Sequence, residues 1–140
     1  MGLLSDFFIA DATPVPNYEG GESIDEADKC QFKNLTPLQA AQFLAVLRDQ
    51  DYVMELMNEF ELVTPEDAED WTMSVPDDMV ASLAKIETAD IGAIAARFAD
   101  ATSEELGWSP EDFVPIVSEL SKLGRRAIAA NKKMYLWNCL

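Results

Sequence analysis

Apolar side chains recur along the chain in two rhythms, one suited to strands and one to helices. Leu3 to Ala10 is a short apolar run, broken by Ser5 and Asp6, that holds Phe7, Phe8 and Ile9. It is too short for a helix and rich in residues that fit a pleated surface, so it predicts a strand. Residues 11 to 28 hold Pro14, Pro16, Gly20, Gly21 and six carboxylates with little to bury. That composition predicts a loop that is free to move. From Lys29 to Leu35, the apolar Cys30, Phe32 and Leu35 stand between polar neighbours and predict a brief strand or extended lead-in.

The helical rhythm then takes over. Ala40, Phe43, Leu44 and Leu47 fall at i, i+3, i+4 and i+7, predicting a helix over 37–49. A second, short helix is expected over 51–58. Residues 60–63 read as a strand entering a turn at 64–70, with 71–75 returning antiparallel to it. Met79, Val80, Leu83 and Ile86 mark a helix over 76–86, and Ile91, Ile94, Ala95 and Phe98 another over 89–100. Phe113, Ile116, Val117, Leu120, Leu123 and Ala127 share one face of a long helix ending near Asn131. Pro115 requires either a separate turn at 110–113 or a kinked start. Met134 to Leu140, with Tyr135, Leu136 and Trp137, predicts a terminal strand. The expected fold class is α+β, with about five helices around a small, mostly antiparallel sheet in one domain spanning 1–140.

Proline-marked segments punctuate this pattern: Thr36-Pro37, Thr64-Pro65-Glu66-Asp67, Ser74-Val75-Pro76-Asp77-Asp78 and Ser109-Pro110-Glu111-Asp112. Each reads as a helix start. The hydroxyl accepts from a free backbone N–H, proline tolerates the first turn, and the acids complement the positive end of the dipole. Val75 weakens the third copy.

Charge is the main change that composition makes to this picture. The 140 residues include 26 acidic and 10 basic side chains and no histidine, a formal charge of −16. All 26 acids and five of the cations lie in the first 121 residues, and the last 19 hold five cations and no acid. With 49% hydrophobic residues the chain is globular despite its self-repulsion. A surface of this sign repels nucleic-acid phosphates and anionic membranes and attracts basic proteins. Neither nucleic acid nor membrane is therefore an expected partner, and a basic protein is; the oligomeric state is left open. Cys30 and Cys139 are too few for a disulfide framework or a zinc site, which suggests a reduced, cytoplasmic setting. The start Met-Gly-Leu-Leu-Ser-Asp lacks the charge and apolar run of a secretory signal. Asp6 stands where a myristoylation signal wants Ser or Thr.

The missing histidine excludes Ser-His-Asp triads, Cys-His pairs and histidine-bound metals. No phosphate-cradling glycine loop is present, since Gly20-Gly21 lies among acids, and no cofactor is expected. Carboxylates cluster at Glu66, Asp67, Glu69 and Asp70, at Asp25, Glu26 and Asp28, and at Asp49, Asp51 and Glu55. None follows the calcium-loop spacing. They read first as solvated surface and cap charge, and second as a weak cation site. Trp71, Trp108 and Trp137 read as core before ligand pocket, and Cys139 as a buried thiol before a reactive one. Lys122, Arg125, Arg126, Lys132 and Lys133 read as helix-end charges paired with the acidic surface, with an anion site as the other reading.

Asn34-Leu-Thr-Pro-Leu, Phe43-Leu-Ala-Val-Leu, Glu59-Phe-Glu-Leu and Lys133-Met-Tyr-Leu-Trp together resemble a family of small acidic bacterial proteins of unknown function, over residues 34–140. The resemblance implies a soluble bacterial cytoplasmic protein and carries over no active-site residue. Two functions stay open on the sequence. The first is a non-catalytic interaction domain, inhibitor-, immunity- or adaptor-like, which presents Glu66, Asp67, Glu69, Asp70, Arg125 and Arg126 to a basic partner. The alternative is a carboxylate-based enzyme or small-ligand or cation binder, using acids, Trp71 and the Arg125-Arg126 pair around a cleft.

Overall fold

Strands from the two ends of the chain lie side by side. In the computed structural model, which describes residues 3–13, 18, 21 and 24–140, β1 (Leu4–Ala10) pairs antiparallel with β5 (Lys133–Cys139), placing Phe7 opposite Leu136 and Phe8 opposite Tyr135. β2 (Lys29–Lys33) flanks β1, while β4 (Asp70–Ser74) flanks β5 and carries the two-residue β3 (Glu61–Leu62) at its outer side. The order β2-β1-β5-β4-β3 is antiparallel throughout. Four α-helices, α1 (Pro37–Leu47), α2 (Asp77–Ala84), α3 (Ile91–Ala101) and α4 (Pro110–Ala130), join this sheet. A six-residue 3-10 helix at Met54–Glu59 brings the helices to five, and single 3-10 turns stand at Glu26–Asp28 and Thr88–Asp90. The α+β class and the antiparallel sheet are as the sequence leads one to expect.

The continuous burial of β1 from Ser5 to Ile9 has a simple cause. Both faces of the central strands are covered, so alternation gives way to continuous burial. Phe7, Ile9, Met134 and Leu136 belong to the main core with the buried faces of the helices. On the opposite face Phe8, Tyr135 and Trp137 form a second cluster capped by Tyr18, which stacks on Phe8 at 4.3 Å. Tyr18, Gly21 and the 3-10 turn at Glu26–Asp28 therefore tie the expected loop to the sheet at those points: the Tyr18 hydroxyl donates to Asp6 at 2.7 Å and Lys29 Nζ donates to the Gly21 carbonyl at 2.8 Å. Positions 14–17, 19–20 and 22–23 of that loop lie outside the described residues.

Within the helical layer Phe43, Phe98 and Phe113 interlock. Phe43 and Phe98 stack at 4.1 Å and Phe113 meets both edge-on. α4 packs on α2 and α3 through its predicted stripe, all of which is buried. Pro115 is accommodated inside a continuous helix. The Glu111 carbonyl loses its partner, and both residues are exposed, so the break falls on the solvent side of the helix. Capping boxes close the starts of α1 and α4, with the side chains of Gln39 and Asp112 reaching back to Thr36 and Ser109. Thr64-Pro65-Glu66-Asp67 starts no helix. It forms the β3–β4 turn, where Ala68 N–H donates to the Pro65 carbonyl at 3.1 Å, because the next residues are drawn into pairing with β5.

Candidate functional site

The acidic cluster singled out in the sequence occupies the turn between β3 and β4. Glu66, Asp67 and Glu69 are exposed, as is Glu61 at the base of the hairpin, and none has a Lys or Arg partner among the described residues. Asp70 differs from its neighbours: half-buried at the start of β4, it accepts a 2.7 Å hydrogen bond from Trp137 Nε1. Its role is structural, anchoring the buried indole of β5.

Arg125 and Arg126 lie on α4, and each is held by bonds within the chain. Arg126 donates through Nε and Nη2 to Asp28 Oδ1 at 3.0 and 2.7 Å, with Lys132 3.5 Å from the other oxygen. Burial raises the pKa of the Asp28 carboxyl. The Arg126 hydrogen bonds and the charges of Lys132 and Arg126 outweigh that, and the pKa falls below its ordinary value. Arg125 donates to the carbonyls of Ala84 and Ile86. The sequence reading placed these cations at the end of their own helix, but the last turn of α4 holds none. Arg125 instead caps α2, because the two helices cross closely where Gly124 and Ser121 face Val80 and Ile86. Trp71, on the helix-facing side of β4 opposite Asn138, joins neither arginine.

The other cations follow the same course. Arg48 forks onto Glu59 at 2.6 Å through both terminal nitrogens and onto Asp78 at 2.8 and 3.0 Å, tying α1 to the 3-10 helix and to α2. Its hydrogen bonds hold the Glu59 and Asp78 carboxyls below their usual range. Arg97 meets Asp49, Lys122 meets Glu119, Lys133 meets Asp77 and Lys29 meets Glu26. Seven of the ten cations thus pair with carboxylates, and they engage seven acids among the described residues, of 26 in the chain.

Cys30 is the buried thiol, and desolvation, then the nearby charges of Glu119 and Asp6, push its pKa up to about 12. Cys139 is half-exposed, not buried as the sequence suggested, since it faces the far side of the sheet near its end. Among the described residues no three His, Cys, Asp or Glu side chains converge as metal ligands. No helix among them is long and apolar enough to cross a membrane.

A feature missed in the sequence lies between α1, α3 and the segment 50–52: a cleft of about 440 Å³. Gln42 borders it, nine-tenths or more buried, and its Oε1, itself shielded from solvent, has no hydrogen-bond partner among the described residues. Asp51 and Asp100 border it without a cation partner among the described residues, whereas Arg97 is drawn to Asp49 at 2.9 Å. The signal was present in α1. Ala41, Ala45 and Val46 lie off the predicted stripe, so the helix had a second apolar face around Gln42 and was buried on both sides.

No protein-family model, curated protein or solved structure matches the chain.

Proposed function

We propose that this protein is a non-catalytic interaction domain that binds a basic protein through the acidic β3–β4 hairpin. One observation carries the reading: the cations are largely engaged inside the molecule, and the hairpin acids Glu61, Glu66, Asp67 and Glu69 keep no partner of opposite sign among the described residues. Their field extends into solvent over a screening distance of roughly 8 Å at physiological salt. A short, two-residue edge strand carrying such charge resists pairing with another sheet, which leaves electrostatic docking as the way the hairpin engages a partner. Inhibitors, immunity proteins and adaptors of basic proteins work in this manner, by fast, salt-sensitive association.

The test is binding of a lysine-rich peptide of defined sequence, measured by calorimetry at low and high salt. A triple variant, Glu66→Gln, Asp67→Asn and Glu69→Gln, is compared with neutralisation of the exposed pair Glu104 and Glu105 in the turn that follows α3. The reading expects salt-dependent binding that the hairpin variant weakens more than the control. Equal losses in both variants would reduce the charge to a solubility device, and absence of binding at low salt would end the reading.

A further inference from the structure

We propose that the cleft beside the start of β1, on the sheet face that carries Phe8 and Trp137, binds a free aliphatic amino acid as its zwitterion. The site is separate from the acidic hairpin and does not rest on it. Leu4, Asp6, Gln31, Lys33 and Trp137 line this cleft of about 490 Å³, a volume in the range of small-ligand sites. Strand pairing gathers them, since Asp6 lies opposite Gln31 on one side and Trp137 on the other, and Leu4 lies opposite Lys33.

Asp6 decides the ligand. It is 3% exposed on a central strand, and no Lys or Arg of the described residues pairs with it. A carboxylate so buried is ordinarily matched by a cation. Its Oδ2 accepts from the Tyr18 hydroxyl at 2.7 Å and from Gln31 Nε2 at 3.2 Å, while Oδ1 accepts from no described residue. Oδ1 also differs from Gln42 Oε1 and Asn138 Oδ1, the unpartnered atoms that are sealed from solvent. It keeps contact with solvent, and the cleft is where Asp6 meets solvent. On the rim, Lys33 is exposed and pairs with no carboxylate of the described residues, in a chain that holds 26 acids. It stands one strand over and two residues along from Asp6, about 8 Å away between backbones. The cleft thus offers an anion and a cation that are not matched to each other. An α-ammonium answers Asp6 Oδ1 with charge-assisted hydrogen bonds, and the α-carboxylate answers Lys33. The exposed Leu4 and the indole of Trp137, whose Nε1 is already given to Asp70, leave an apolar surface for the aliphatic side chain. A simple amine would set Lys33 against a like charge, and a simple acid would do the same to Asp6.

Heteronuclear NMR titration of the intact chain tests the proposal. The probes are L-leucine, 3-methylbutylamine, 4-methylpentanoate and L-leucinamide, which share one aliphatic body and differ in the charges at its head. Saturable shifts are expected with leucine at the Gln31 side-chain amide, the Trp137 indole N–H and the backbone of residues 4–6 and 31–33. Leucine should bind about tenfold or more tighter than each of the other three. Lys33→Met, an exposed substitution, should weaken leucine several-fold without weakening leucinamide. Asp6→Asn, which keeps the shape of the side chain, should abolish the preference for leucine over 4-methylpentanoate, its fold being checked in the same spectra. Leucinamide bound as tightly as leucine would overturn the proposal, because the N-terminus of a peptide would then suffice. Equal binding of 4-methylpentanoate, or unchanged leucine binding in Lys33→Met, would overturn it as well. So would shifts confined to residues 61–70, which would leave the hairpin reading standing, or no shift at millimolar leucine, which would leave Lys33 as the counter-ion of Asp6 in solution.

Discussion

Replacing Gly124 with alanine sets helix propensity against a crowded helix crossing. Gly124 lies inside α4, where alanine is favoured over glycine by about 0.8–1.0 kcal/mol. A Cβ built there, however, falls 3.1 Å from the Ala84 nitrogen, 3.1 Å from the Val80 carbonyl oxygen and 3.2 Å from Leu83 Cβ. Carbon contacts relax to about 3.5–4.0 Å, so α2 has to retreat by several tenths of an ångström. Two of the obstructing atoms are backbone and cannot rotate away. Arg125 and Ser121 also hold the end of α2 through the carbonyls of Ala84 and Ile86. Overpacking of this kind costs about 1–3 kcal/mol. The net effect of Gly124→Ala is then a loss of about 1 kcal/mol, and Gly124→Val should lose about twice as much or more. Gly92 in α3 is the internal control, since a Cβ there meets nothing within 4 Å. Gly92→Ala should gain a few tenths of a kcal/mol, less than a mid-helix glycine because it lies in the first turn. Urea unfolding followed by far-UV circular dichroism measures both, with a melting shift of about 2–4 °C per kcal/mol at this size. If Gly124→Ala stabilises the protein by its full propensity gain, the α2–α4 crossing is not as close as described and the reasoning fails.

Asp28→Asn removes the charge that holds Arg126 and Lys132 to the 3-10 turn before β2. Because Arg126 is half-exposed, the expected loss is about 1–2 kcal/mol at neutral pH. The folded-state pKa of Asp28 is lowered, so its contribution is complete above the ordinary carboxylate value of 3.8 and disappears as pH falls through the folded value. Wild type and variant should converge in stability in acid, and a difference that persists or grows there would contradict the assignment. Phe98→Ala, which opens the Phe43–Phe98–Phe113 stack, should cost about 3–5 kcal/mol in chemical denaturation; a loss under about 1 kcal/mol would mean that these rings are not the centre of the helical layer. Thiol titration with a chromogenic disulfide should modify Cys139 in the native protein and Cys30 only on unfolding, and simultaneous labelling of both would show that Cys30 is accessible.

The sequence by itself determined the elements. Local periodicity located α1 to α4 within a few residues, since one apolar face per helix is a nearest-neighbour property. The Thr36 and Ser109 caps were legible because a cap involves residues only three apart. The strands at both ends and the 61–74 hairpin were legible for similar reasons. The same local logic misled at Thr64-Pro65, where pairing of β4 with β5 prevailed over a helix-start signal, and at Arg125, whose acceptors are about 40 residues away in sequence. Only the tertiary structure decided that β1 and β5 lie together at the middle of the sheet. That pairing joins residues more than 120 positions apart, and no local pattern encodes it. It also decided which charges cancel. The chain's surplus of acid was plain in its composition, but its distribution depended on which carboxylates the fold brought to Arg48, Arg97, Arg126 and Lys133. The α1–α3 cleft is of the same kind: Gln42 and Asp100 border one cleft only because α3 packs beside α1, far from it in sequence.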